Sequence, residues 1–342
     1  MPRRKFLSGL AAASLCAATS GGAVRTARAA SPRRLIDVHS HIVPPFYLAE
    51  NRQRIAGSRG GEISRAWLEW TPQQSLAAMD EHGVETAMLS LSTPGVWFGN
   101  ADEARSLARK VNEYGAELVR NHPGRFGLFA AIPLPDTEGS LREIEYALDA
   151  LKADGIGLLT SYGDKWLGDP AYQAVLEELN RRKAVVFVHP TTPNCCRTLM
   201  PGIATLMAEV PQDTTRTIIS LLFSGTLTRL KDIRFIFCHA GGTVPIVAAR
   251  LTQYGPKDLA EKLPHGVDYE LKRLYYDIAV SGYRPAIAAL TGLIPTSQIL
   301  FSSDFPYRPL GETAGTLSQI GLSDADLNSI GRDNALTLLP RL

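Results

Sequence analysis

Residues 34 to 44 read RLIDVHSHIVP, an apolar run closed by two histidines one residue apart. In an extended chain, side chains two positions apart share a face, so His39 and His41 project their imidazoles to the same side. Alone, the pair has two readings: metal ligands, or polar residues at the rim of a strand. The rest of the chain decides between them. Seven further β-rich apolar runs follow: TAMLSLS (86–92), FGLFAAIP (126–133), GIGLLTS (155–161), VVFVHP (185–190), RFIFCHAG (234–241), LYYDIAV (274–280) and QILFSSDFP (298–306). Between them, TPQQSLAAMDEHG, NADEARSLARKVNEYGAELVRNHPG, SLREIEYALDALKADG and DPAYQAVLEELNRRKA place apolar residues at helical spacing, with capping residues near their starts. Continuous apolar strands separated by amphipathic helices mark a buried parallel sheet with crossover helices. Eight such alternations predict an α/β fold, a (β/α)8 TIM barrel, as one domain over residues 31–342. Two connections are long: 43–71, with Trp67 and Trp70, and 191–232. Loops at the carboxyl ends of barrel strands build substrate pockets, which makes these two the expected walls.

The same frame places the polar residues. His189 ends the fifth run, His239 the sixth and Asp304 the eighth, all at the mouth where barrel enzymes keep their catalytic groups. Each has a plain structural alternative: a backbone hydrogen bond for His189 or His239, a helix cap for Asp304. Burying all of them is costly unless something compensates, and one divalent cation compensates the set at once. Three neutral histidines and a carboxylate around an open position match a catalytic zinc-type site. Asp277, within LYYDIAV, reads equally as a group holding a ligand histidine or as an ordinary strand-end residue.

The motifs DVHSH, VFVHP, CHAGG with Pro245 and Arg250 after it, and SSDFP together resemble the amidohydrolase-related decarboxylases, the group that includes aminocarboxymuconate semialdehyde and 6-methylsalicylate decarboxylases. The resemblance runs from about Arg34 to the C-terminus and implies a barrel of the amidohydrolase type. By it, His39, His41, His189 and Asp304 bind the metal, and His239 is the acid/base histidine beside it; in a decarboxylation either Asp304 or His239 supplies the proton. Arg250 matches an arginine that reaches the neighbouring subunit's site, which implies a homodimer and a substrate-binding role. The position of a second substrate-binding arginine is Ser75 here, which disfavours a dicarboxylate. LSLSTPGV and AAMDEHGV are closer to the 6-methylsalicylate branch, which acts on an aromatic monocarboxylate. GLLTSYGD, at the end of the fourth run, offers no lysine for a binuclear centre, so a single ion is expected. Zinc is the default for this ligand set, and manganese fits nearly as well.

These readings predict a metal-dependent, non-oxidative decarboxylase of an aromatic or unsaturated carboxylic acid, a carboxy-lyase. The alternative on the same fold is a metal-dependent hydrolase of a lactone, ester or cyclic amide. Residues 1–30 carry Arg3-Arg4, Lys5, a short apolar stretch and ARA before Ala30, the plan of a cleavable twin-arginine export signal, with a periplasmic destination. Its apolar run is too short to span a membrane. Removing its five basic residues leaves 31 basic against 34 acidic, net −3, which argues against a nucleic-acid partner.

Overall fold

The structure, a computed structural model, describes residues 34–58 and 63–342; the export-signal reading falls on residues outside these. Eight parallel strands form one sheet in chain order: β1 (Leu35–His41), β2 (Val84–Ser90), β3 (Phe126–Ala131), β4 (Gly155–Leu159), β5 (Val185–His189), β6 (Arg234–Phe237), β7 (Tyr275–Asp277) and β8 (Ile299–Leu300). The sheet closes where the chain beyond β8 returns to β1. Val38 N donates to Phe301 O at 3.1 Å, His41 N to Phe305 O at 2.8 Å and Asp304 N to His39 O at 2.8 Å. The predicted (β/α)8 barrel is therefore the fold, and each of the eight apolar runs supplies one of its strands.

Helices follow the strands because their apolar stripes need the sheet's outer face. Pro72–His82 starts on a capping box between Thr71 and Gln74 and stops at Gly83, whose φ of 70° suits a residue without Cβ. Ala101–Asn121 is capped by the Asn100 side chain on Glu103 N. The barrel interior is filled by Ile36, Val38, Met88, Phe129, Phe187, Ile236 and Leu300, and Ala335, Leu338 and Leu339 pack against this group. Among the described residues no helix is long and apolar enough to cross a membrane.

One irregularity in β1 aims the site. Asp37 pairs with Ala87 and Ser40 with Leu89, so β1 spends one more residue than β2 over this interval. Such a bulge changes which residues face inward. Below it Ile36 and Val38 fill the apolar lumen; above it His39 and His41 meet over the centre.

Candidate metal centre

Four side chains converge at the carboxyl mouth of the barrel, two from β1, one from the end of β5 and one from the segment beyond β8. One ligand atom from each of His39, His41, His189 and Asp304 lies within 4.8 Å of every other. Nε2 of His39 and Nε2 of His41 are 3.1 Å apart. Oδ1 of Asp304 is 3.2 Å from the first and 3.0 Å from the second.

The other ring nitrogen of each histidine is already committed. His39 Nδ1 donates to Asp277 Oδ2 at 2.9 Å. His41 Nδ1 faces Ser90 Oγ at 3.1 Å, and because that hydroxyl gives its own hydrogen to Ser40 O, its oxygen accepts from the ring. His189 Nδ1 donates to Pro190 O at 2.8 Å. With every Nδ1 a donor, every neutral ring presents a bare lone pair at Nε2. With both rings neutral, two such nitrogens and a carboxylate oxygen at about hydrogen-bond distance are three acceptors in one place. Only a positive charge reconciles them, so the residues present fit a divalent cation.

Charge within the cluster agrees. Burial drives His189 well below the ordinary imidazole value, keeping it neutral. Burial likewise lowers His41 against the pull of Asp304. For His39, burial is outweighed by the charges of Cys238, Asp277 and Asp304, so with no ion bound its proton affinity stands well above the ordinary value, and a proton on Nε2 takes the place a cation would fill. Asp304 is held well below the carboxylate range because His39 and His41 overcome the cost of burial.

His239 stands beside the cluster. Its ring stacks on that of His39 at 5.3 Å between centroids, and Nε2 lies 4.0 Å from Asp304 Oδ2. That Nε2 is buried and makes no hydrogen bond, an orphan at the rim of the cluster. Burial lowers its pKa. His239, Ala240 and Asp304 adopt φ of 56°, 57° and 65°, a left-handed conformation that costs a side-chain-bearing residue about 1–2 kcal/mol. The surroundings hold these turns in place, as strained backbone at functional sites requires. Asp277 Oδ1 accepts from His239 N at 3.0 Å, Ser302 Oγ at 3.1 Å and Ala279 N at 3.1 Å, so this one carboxylate fixes His39 and the His239 turn together. Asp37 does the same for Asp304: its Oδ1 accepts from His39 N and Ser303 N, both at 3.0 Å, and burial pushes its pKa up to about 7.

Apolar rings bound the centre. Phe187 lies 5.0 Å from His39, and Tyr307 lies 5.3 Å from His41 with the buried Trp67 of the first long connection behind it. Trp70 does not join them; its indole donates to Ser75 Oγ at 2.9 Å, which commits the residue standing where a second arginine was sought. The second long connection contains the helix Thr205–Phe223, anchored by Asp213 to Thr160, Ser161 and Trp166.

Five predicted residues, His39, His41, His189, His239 and Asp304, are thus brought together, and Arg250 is not. It is exposed on the helix Val244–Gln253, its guanidinium 5.1 Å from the Tyr254 ring centre. Sequence reasoning left Asp277 undecided and did not single out Ser90 or the Pro190 carbonyl. Ser90 had one available signal, its place at the end of β2, where it pairs with His41 in the sheet.

A model of the amidohydrolase family matches residues 36–341. A protein named as the decarboxylase yanB of Aspergillus niger is 36% identical, over 90% of this chain and 87% of its own. The 6-methylsalicylic acid decarboxylase acuB of Aspergillus aculeatus is 34% identical, over 90% of this chain and 96% of its own. The solved structure of a dihydroxybenzoic acid decarboxylase from a Polaromonas species, with manganese and 2-nitroresorcinol bound, superposes with a TM-score of 0.79 at 23% identity, covering 90% of this chain and 97% of that one.

Proposed function

The chain belongs to the amidohydrolase family, and from that premise we propose that it is a metal-dependent, non-oxidative decarboxylase whose substrate is an ortho-hydroxybenzoate of the 6-methylsalicylate kind. The observation that carries the reaction type is the likeness, along nearly the whole chain, to a protein named for 6-methylsalicylic acid decarboxylation. The acceptor cluster at the barrel mouth carries the metal dependence.

His39, His41 and His189 would hold the ion through Nε2 and Asp304 through its carboxylate, with zinc as the default and manganese the alternative. When bound, the ion supplies a fixed positive charge that grips the substrate's oxygens and stabilises the negative charge building on the ring. In the reaction the bond from ring to carboxylate breaks, its electron pair stays on the ring carbon, carbon dioxide leaves, and a proton forms the new C–H bond. His239 and Asp304 face each other at 4.0 Å and are the groups placed to hold and deliver that proton. Phe187 and Tyr307 give the centre apolar flanks that limit water, which favours transfer of the proton to carbon over hydration.

The test is to supply metal-loaded protein with 6-methylsalicylate and with lactones. Carbon dioxide and 3-methylphenol are expected; ring-opened lactone without carbon dioxide overturns the reading in favour of a hydrolase.

Two finer features belong to the same proposal. Arg250 reaches the substrate of a second copy: it is exposed, on a helix that also exposes Ile246 and Tyr254. Activity recovered on mixing Arg250→Ala and Asp304→Asn copies checks this; none recovered counts against it. Residues 1–30 direct export by the twin-arginine route, which the location and amino terminus of the protein in its host would confirm or refute.

A further inference from the structure

The stretch LSLSTPGV, residues 89–96, carries β2 past its last paired residue into the metal centre. Ser92 is fully buried there, with Oγ 3.4 Å from Nε2 of His189. Since His189 Nδ1 donates to Pro190 O, Nε2 of the neutral ring is an acceptor and the serine hydroxyl is the donor. The backbone beneath it is braced: Thr93 Oγ1 and Thr191 Oγ1 share a hydrogen bond of 2.9 Å that joins the end of β2 to the connection after β5.

This bond cannot coexist with a cation held by the same nitrogen, because the lone pair that accepts the hydroxyl hydrogen is the one a metal takes. In the loaded protein Ser92 is then a buried donor without its acceptor, a costly state unless another oxygen arrives. The oxygens that arrive are those of the substrate. Resting on the decarboxylase reading above, we infer that Ser92 is a substrate-binding residue, donating its hydroxyl hydrogen to an oxygen of the ortho-hydroxycarboxylate head. The site thereby recognises the head through a neutral donor from the segment that follows β2.

The experiment compares zinc-loaded parent, Ser92→Ala and Ser92→Thr in three measurements: bound zinc by elemental analysis, salicylate affinity by calorimetry, and turnover of 6-methylsalicylate. Ser92→Ala is expected to keep its zinc and to bind salicylate about 10- to 100-fold more weakly, as loss of a hydrogen bond to a charged acceptor requires. Its KM should rise more than its kcat falls. Ser92→Thr, which retains the hydroxyl, should bind close to the parent. Unchanged salicylate affinity in Ser92→Ala overturns the inference. So does loss of zinc in proportion to loss of activity, which would assign the hydroxyl to His189 instead. A parent that holds zinc but neither binds salicylate nor releases carbon dioxide would overturn the decarboxylase reading itself, and this inference with it.

Discussion

Asp213 and Asp304 are both buried carboxylates at the carboxyl end of the barrel, and their partners are of opposite kinds. Asp213 is surrounded by donors. Trp166 Nε1 gives it a hydrogen bond at 2.6 Å, Ser161 Oγ another at 3.1 Å, and Thr160 Oγ1 a third. The protein alone satisfies it. Asp304 is surrounded by acceptors, two imidazole nitrogens whose own hydrogens are spent on Asp277 and Ser90. Burial raises the pKa of Asp213 despite its donors, while Asp304 falls well below the usual range only through positive charge and hydrogen bonds at His39 and His41, the charge that a cation would supply. Depth in the protein does not separate the two. The sign of the surroundings does: a buried acid whose neighbours are complete holds the fold together, and one whose neighbours are all acceptors is waiting for a cation.

The contrast is broken most directly at Asp304. Asp304→Asn exchanges a carboxylate for an amide whose N–H groups can satisfy the facing histidine nitrogens. The variant should lose its metal and lose turnover by about 1,000-fold or more, yet melt no lower than metal-free parent. His239→Ala should lose turnover by about 100- to 10,000-fold while retaining metal, because its Nε2 stands outside the four-atom cluster. Elemental analysis beside kinetics separates the two. Metal lost from His239→Ala, or a lower metal-free melting temperature in Asp304→Asn, would show that the surroundings do not divide roles as argued.

A smaller effect sharpens the comparison at Asp277, which belongs with Asp213 by its donors and with Asp304 by its place. It receives hydrogen bonds from His39 Nδ1, His239 N, Ser302 Oγ and Ala279 N. In Asp277→Asn an amide nitrogen can meet His39 Nδ1, and the ring is free to move its proton to Nε2, facing Asp304. Metal affinity should then fall about 10- to 100-fold, the usual cost of losing a partner behind a ligand histidine. Competition against a chelating dye measures it. Affinity equal to the parent's would mean that the carboxylate does not set the tautomer.

How much of this was legible in the sequence follows from the range of the interactions involved. The eight strands were legible because each is a local apolar run, and the five polar residues because each ends one. The bulge in β1 was not, since register is set between strands and Asp37 to Ser40 look unremarkable by themselves. Asp277 could be only half read: a strand-end aspartate looks the same whether or not His39, 238 positions earlier, lies against it. Asp213 was invisible for the same reason, as its donors lie 47 to 53 positions away in a segment read only as a long connection. Arg250 was named through family resemblance, and within one copy of the chain it touches none of the site residues around His39.

Asp213 gives the mildest test and the one that isolates its half of the contrast. Removing it in Asp213→Ala leaves the donors of Thr160, Ser161 and Trp166 buried without their acceptor, which costs about 1–3 kcal/mol of stability. Because Thr160 N is bonded to His189 O and its Oγ1 accepts from Thr191 N, the loss falls on the scaffold beside the site and not on a ligand atom. Metal content should stay at the parent's level while the denaturant midpoint drops. The pH dependence fixes the sign independently. The parent's carboxyl has a folded pKa raised above its ordinary value by burial, so its favourable contribution is complete below that ordinary value, about pH 4, and diminishes as pH rises through the folded one. The stability gap between parent and Asp213→Ala should therefore be widest in acid and narrow towards neutrality. A gap that widens with pH would mean that the ionised form is the one the three donors favour, and Asp213 would then resemble Asp304 more closely than its neighbours suggest.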